Sequence, residues 1–289
     1  MKILLLGAHG QLGHSLAPLL ASCGDLQALT RAELDLHDRA ALRQCLRRER
    51  PQLVVNAAAY TAVEQAEREP AAAFALNAEA PAVMAEEAAA LGAWLLHYST
   101  DYVFDGRLGR PYRETDACAP LNVYGHSKLS GEQAIAAAGG PHLILRSSWL
   151  YSRHGHNFLL TMQRLLRERA EVRVVADQLG NPTSCAALAA ASTALVARIA
   201  AGNPGPAGLY HASCSGGASW YDLAQAIAAD LRGHGETCAR LLPVAAADYP
   251  SAVARPTDSR LDCSALARDW GVAMPDWRSA LAACLAGPA

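Results

Sequence analysis

Lysine is almost missing. Of 25 basic residues in this 289-residue chain only Lys2 and Lys128 are lysines, the remainder being arginines. Long hydrophobic runs are also lacking. Half of the composition is apolar, yet "ILLL" at 3–6 is a buried strand rather than a secretory core or a membrane span. No block of basic residues occurs and the formal net charge is -2, so there is no electrostatic footprint for nucleic acid or an anionic membrane. The eight cysteines, Cys23, Cys45, Cys118, Cys185, Cys214, Cys238, Cys263 and Cys284, form no CxxC pair, which argues against a disulfide framework or a zinc site. No tandem repeat is present. These absences describe a soluble, cytoplasmic protein with a core large enough for one α/β unit or two intimate lobes.

What is present is alternation. Short β-rich runs (2–6, 26–30, 53–56, 94–99, 143–147 and 172–175) are separated by alanine-rich helical stretches (about 11–22, 38–49, 71–91, 122–138, 156–169 and 184–201). That pattern predicts an α/β fold, a Rossmann-like doubly wound parallel sheet covered on both faces by helices. Beyond the turn-rich "GNPGPAG" the pattern changes to short helices and loops with four prolines between Pro243 and Pro275. We expect a dinucleotide-binding core over 1–148, with sheet and helix contributions from about 172–202. Residues 149–289 are expected to form mainly a smaller, substrate-binding lobe.

The first strand runs into "GAHGQLG", with Gly7, Gly10 and Gly13 spaced G-x-x-G-x-x-G ahead of a helix. Glycines there let the backbone approach a pyrophosphate, whose charge is stabilised by free N–H groups at the helix N-terminus. Gln11 and Leu12 belong to the same turn. The spacing departs from G-x-G-x-x-G and also suits a tight turn that binds nothing. After the second strand comes "ALTRAELDL". There Arg31 favours a 2′-phosphate and hence NADPH, with NADH possible, unless it is simply a solvated arginine; Asp35 and Leu36 follow in the same segment. The third strand is followed by "NAAAYT", whose Ala57, Ala58, Ala59 and Tyr60 are expected beside the cofactor.

One lysine stands in "NVYGHSK" at 122–128, four residues after Tyr124, so both side chains project onto one helix face. With nine tyrosines in the chain, that spacing is roughly a 3% coincidence. A phenol is a poor acid at neutrality, but a neighbouring ammonium stabilises the phenolate and lets the tyrosine protonate a developing alkoxide. Lysine suits this better than arginine because its compact head can also reach a cofactor ribose. Twenty-four residues earlier a buried strand ends in Ser99, Thr100 and Asp101. Ligands in open parallel sheets lie beyond the carboxyl ends of the strands, which puts Thr100 where it can hydrogen-bond the carbonyl that Tyr124 protonates. "STD" also resembles a cap or turn.

Together "GAHGQLG", "VVNAAAYTAVEQAE", "HYSTDYVFDG", "PLNVYGHSK", "LRSSWLY", the Asn-Phe pair at 157–158, "DQLGNPTS" and "ARPTDSRLD" resemble the extended short-chain dehydrogenases/reductases, and within them the dTDP-4-dehydrorhamnose reductase family, over nearly the whole chain. The resemblance implies NADPH-dependent reduction of the C4 ketone of dTDP-4-dehydro-L-rhamnose to dTDP-L-rhamnose. It makes Tyr124 the proton donor, Lys128 its tuning partner and ribose ligand, and Thr100 the group that polarises the carbonyl. It also makes Trp149 and Asn157 substrate-pocket residues, beside Asp101, and Arg255 a diphosphate partner. Two other readings stay open: a reductase or epimerase of another nucleotide-linked 4-keto sugar, and a non-catalytic NADP-binding regulatory subunit. Some members of the resembled family dimerise around magnesium held by glutamates. The matching positions here are Ser15 and Ala186, which implies no protein-held metal and a monomer or a metal-independent dimer.

Overall fold

A computed structural model describes residues 1–249 and 253–287. Its strands are β1 (Lys2–Leu6), β2 (Asp25–Leu29), β3 (Leu53–Asn56), β4 (Trp94–Thr100), β5 (His142–Ser147), β6 (Leu150–Tyr151), β7 (Glu171–Val175), β8 (Leu179–Gly180), β9 (Thr183–Ser184), β10 (Gly208–His211), β11 (Ala218–Ser219) and β12 (Arg240–Val244). The α-helices are α1 (Gln11–Leu20), α2 (Arg39–Glu49), α3 (Val63–Ala66), α4 (Pro70–Phe74), α5 (Ala80–Leu91), α6 (Val123–Ala137), α7 (Phe158–Glu168), α8 (Cys185–Ala200), α9 (Trp220–Gly233), α10 (Ser264–Trp270) and α11 (Trp277–Ala286).

Six strands form one all-parallel sheet in the order β10-β5-β4-β3-β1-β2. This is the expected Rossmann-like arrangement, and it has a physical signature in β1. Ile3 and Leu5 enter one core with Leu12 and Leu16 of α1 and Leu188 and Leu195 of α8, whereas Leu4 and Leu6 enter a second core with Leu42 of α2 and Met84 of α5. A strand buried on both faces reads as a continuous apolar run, which is why "ILLL" was legible. The chain winds from β1 to β2 in one direction and through β3, β4 and β5 in the other. Strand order therefore reverses between β1 and β3, and a crevice opens beyond their carboxyl ends.

Two expectations need correction. The strand at 172–175 is not in this sheet: β7 pairs in parallel with β12 in a separate ribbon. Its sequence alternates, with Val172 and Val174 buried and Glu171 and Arg173 exposed, so it covers one layer only and packs with Trp277 and Leu223 in a third core. The sixth place in the sheet belongs to β10, from the segment read as short helices and loops, which also contains the 14-residue α9.

The helix expected over 71–91 is a composite. Between α4 and α5 lies a π-helical turn, Ala75–Glu79. Pro81 explains the wider turn, because a proline lacks an N–H and its ring crowds the carbonyl four residues back. That residue is Asn77, whose side chain accepts from Tyr60 N–H at 2.8 Å and donates to Tyr60 O and Ser127 Oγ, both at 3.0 Å.

Candidate active site

The crevice is a groove of about 540 Å³. At one end the chain turns from β1 into α1. Gly7 has a φ of 81°, and a Cβ there would lie 2.7 Å from Ala58 N; a Cβ on Gly13 would lie 2.1 Å from Gly7 O. Only glycine permits this turn. Gly10 caps α1 without any side-chain hydrogen bond, so backbone N–H groups of the first turn are left for a ligand. Gly7, Gly10, Gln11 and Leu12 line the groove; Gly13 does not, since its part is close packing of helix on strand.

Arg31, Asp35 and Leu36 line the same end. Arg31 is exposed and has no hydrogen bond or ion pair among the described residues, whereas Asp35 already accepts from His37 N–H at 3.1 Å. Ala57, Ala58 and Ala59 form the small-residue wall after β3. Tyr60 is outside the lining: its hydroxyl donates to Glu69 at 2.7 Å and its backbone is held by Asn77.

At the other end the carboxyl terminus of β4 brings Ser99, Thr100 and Asp101 opposite Tyr124 and Lys128 of α6. Asn122 caps this helix, accepting from Gly125 N–H at 2.8 Å. A Cβ on Gly125 would lie 2.3 Å from Tyr102 O, so the glycine lets the helix start press against the turn after β4. Burial pushes the Tyr124 phenol up to about 12, opposed by hydrogen bonding with Thr100 and reinforced by Asp101. Lys128 is 1% exposed, and burial lowers its ammonium to about 8 against the pull of Glu132. Ser99 faces the other way at its hydroxyl, donating to Glu132 at 2.5 Å.

Asp101 is a hub that the sequence motifs concealed. Its Oδ2 accepts from Ser148 Oγ at 3.0 Å and Ser259 Oγ at 2.5 Å, and Thr100 Oγ1 donates to Oδ1 at 3.2 Å. Ser148 Oγ in turn accepts from Asn181 N–H at 3.3 Å. "LRSSWLY", "DQLGNPTS" and "ARPTDSRLD" thus meet on one carboxyl, which burial pushes up to about 6 despite those hydrogen bonds. Ser148, Asn181 and Ser259 could not be singled out beforehand, because only the folded chain joins them.

Trp149 and Asn157 both line the groove from the smaller lobe. Trp149 has a φ of 48°, a strained value for a non-glycine residue, and its ring stacks on Trp220 at 3.5 Å. Asn157 caps α7, accepting from Leu160 N–H at 3.1 Å, and donates to Gln11 Oε1 at 2.8 Å, tying this lobe to the glycine-rich turn. Arg255 is not part of the lining; its guanidinium pairs with Glu64 of α3. The groove also takes in Leu76 and His156, which lie outside the motifs, and Thr30, Thr61 and Ser147, which lie inside them but carry no spacing or charge that would single them out. Among the described residues no group of three or more His, Cys, Asp or Glu is placed to hold a metal, and no helix is long and apolar enough to cross a membrane.

Comparison with known proteins agrees with this geometry. The family model described as the RmlD substrate binding domain matches residues 1–288. The chain belongs to the dTDP-4-dehydrorhamnose reductase family. It is 42% identical to the dTDP-4-dehydrorhamnose reductase of Burkholderia thailandensis over 99% of this chain and 98% of the relative. The enzyme of the same name from Escherichia coli K12 is 43% identical over 96% and 95%. A solved dTDP-4-dehydrorhamnose reductase from Bacillus anthracis, in complex with NADP, superposes with a TM-score of 0.89 at 34% identity, covering 99% of both chains.

Proposed function

We propose that the protein reduces the C4 ketone of dTDP-4-dehydro-L-rhamnose to dTDP-L-rhamnose with NADPH. One observation carries this reading: a single groove runs from a glycine turn with free helix N–H groups to the Thr100, Tyr124 and Lys128 cluster, in a chain of this family. The residues present fit the cofactor. Gly7 and Gly10 let phosphate reach the first turn of α1, Arg31 offers to a 2′-phosphate a guanidinium without a partner among the described residues, and the alanines after β3 leave room for a flat ring. When bound, NADPH supplies the hydride.

The chain's own residues handle the proton. Thr100 donates a hydrogen bond to the ketone oxygen and holds it beside Tyr124. As the oxygen gains negative charge, Tyr124 passes its phenolic proton to it, completing the C4 hydroxyl. Lys128 then stabilises the phenolate as an ammonium and reaches the nicotinamide ribose. Trp149, braced by Trp220, and Asn157 bound the sugar from the smaller lobe, and Arg255 meets the diphosphate by exchanging its partner Glu64 for phosphate oxygens. On this reading the cofactor belongs to the six-stranded half of the molecule and the sugar nucleotide to the remainder. Eight unpaired thiols suit the reducing cytoplasm.

The test is NADPH oxidation by purified protein with a panel of dTDP-linked 4-keto sugars. Turnover with the rhamnose precursor at least about tenfold above every other sugar is expected. Preference for another sugar assigns a different substrate, and no turnover with any sugar defeats the enzymatic reading.

A further inference from the structure

Behind Lys128, away from the groove, lies a buried chain of hydrogen bonds that the reaction as described does not use. Ala58 N–H donates to Asn56 Oδ1 at 3.1 Å. The amide oxygen is thereby fixed on that side, and Nδ2 of Asn56 faces His97 Nδ1 at 3.0 Å. An amide nitrogen can only donate, so Nδ1 accepts and the neutral imidazole carries its proton on Nε2. Nε2 lies 3.2 Å from Lys128 Nζ, which also donates to Tyr98 O at 2.6 Å. An Nε2–H needs a lone pair opposite it. An ammonium has none, whereas a neutral amine has one. Turning Asn56 over points its NH2 at Ala58 N–H, and moving the imidazole proton to Nδ1 points it at that same NH2. Either change leaves two buried donors facing each other, and Asn56, His97 and Lys128 are all within 1% of complete burial, beyond the help of water.

We infer that His97, its tautomer set by Asn56, is a positioning residue that biases Lys128 toward the neutral amine in the cofactor-free protein, so that in mildly alkaline solution cofactor binding is accompanied by uptake of a proton at Nζ. The inference rests on the reading of Tyr124 and Lys128 as the reactive pair. The added proton comes from solvent and converts the amine to an ammonium, whose new N–H is directed to a ribose oxygen. At that point His97 turns its tautomer or yields the contact. At a pH above about 8, where the amine of the cofactor-free protein is mostly unprotonated, the general acid is armed only when the hydride donor is in place, since Tyr124 gains its stabilising charge at the same step.

The surroundings of Lys128 do not undo this. Glu132, one turn along α6, favours the ammonium, but its carboxylate is committed to Arg146 of β5 at 2.9 and 2.6 Å and to Ser99. From β4 comes His97 itself, held well below its ordinary pKa by burial and by Lys128, so the ring takes no second proton. Tyr124 lies on the same helix and Asp101 beyond it in the turn after β4, whereas the π-helical turn contributes the neutral Asn77. Burial works in the same direction as the donor pattern, lowering Lys128 to about 8.

The experiment measures proton uptake when NADPH is added to the whole protein at about pH 8.5 in weakly buffered solution with cresol red, together with NADPH affinity from about pH 7 to 9.5. A free-state pKa of about 8 predicts uptake of roughly 0.7 proton per site at that pH, and affinity that falls toward tenfold per unit at the alkaline end. Two variants remove the device differently. His97→Gln can turn an amide oxygen to Nζ, and Asn56→Asp replaces the donor facing Nδ1 by an acceptor, which moves the imidazole proton and leaves Nε2 free to accept from an ammonium. In both, uptake should fall below about a third of that of the unaltered protein and the affinity profile should flatten. Because they change different residues, one that fails to fold leaves the other to decide. No uptake by the unaltered protein, or full uptake by a folded variant, overturns the inference. Neither readout needs turnover, so the reactive pair is judged separately by the turnover of Tyr124→Phe.

Discussion

Tyr124 is half-buried, with its phenol held above the ordinary value by desolvation and its hydroxyl within reach of Thr100. Replacing it with phenylalanine removes one oxygen and the only proton the proposed mechanism transfers. Turnover of Tyr124→Phe should fall by about 10²-fold or more at saturating substrate, with NADPH affinity changed less than about twofold. Steady-state rates and cofactor titration on the purified variant measure the two separately, and full turnover would remove Tyr124 from the mechanism. Arg31 is tested by contrast between cofactors. A charge-assisted hydrogen bond to a 2′-phosphate contributes roughly 1.5–3 kcal/mol, so Arg31→Ala should weaken NADPH by about tenfold or more and leave NADH nearly untouched. Equal losses for both cofactors would return Arg31 to the solvated edge. That Thr100, Tyr124 and Lys128 share one groove was legible in the sequence from residue type, helical spacing and a place at the carboxyl end of a strand. His97 and Asn56 were not, as the pairing of β3 with β4 is what puts them in contact, 41 residues apart.

At the scale of elements, α6 serves the site by lying unusually close to its neighbours. A Cβ on Gly131 would stand 2.1 Å from Asn77 O, in the π-helical turn, whereas Gly233 at the end of α9 has nothing within 4 Å. The same substitution should therefore have opposite signs. Gly131→Ala must push α6 off the turn and should cost about 1–3 kcal/mol, with a fall in turnover as Lys128 and Tyr124 shift. Gly233→Ala meets no obstacle in a helical position and should stabilise by about 0.4–1 kcal/mol through the unfolded chain. Denaturant midpoints of the two variants provide the comparison; a neutral Gly131→Ala would mean that the helix contact is soft. The capping roles of Asn122 and Asn157 emerge only in the structure, whereas the helical stretches at 122–138 and 156–169 could be read from the sequence. The π turn could not, because it depends on Pro81 meeting the hydrogen bonds of Asn77.

For the whole molecule, strands buried on both faces announced themselves, and those with a different environment did not. β10 has only four residues, "GLYH", and its place at the sheet edge is set by contact with β5 rather than by any apolar run. β7 has a strand's composition, yet its alternation of buried and exposed residues suits the ribbon it forms with β12. Metal dependence belongs to this scale as well. Ser15 sits in α1 with its hydroxyl directed to Gln11 O at 3.4 Å, and Ala186 presents an exposed methyl in the first turn of α8. Neither supplies the carboxylate oxygen that a hard divalent cation requires. α1 and α8 pack side by side on one face of the sheet, so any copy approaching that face meets a surface without ligands at these positions. The protein should keep at least about 80% of its activity in excess chelator, and its mass by light scattering should not change when magnesium is removed, whether it is a monomer or a dimer built on apolar contact. A dimer that separates on adding chelator would show that other carboxylates hold an ion between the copies.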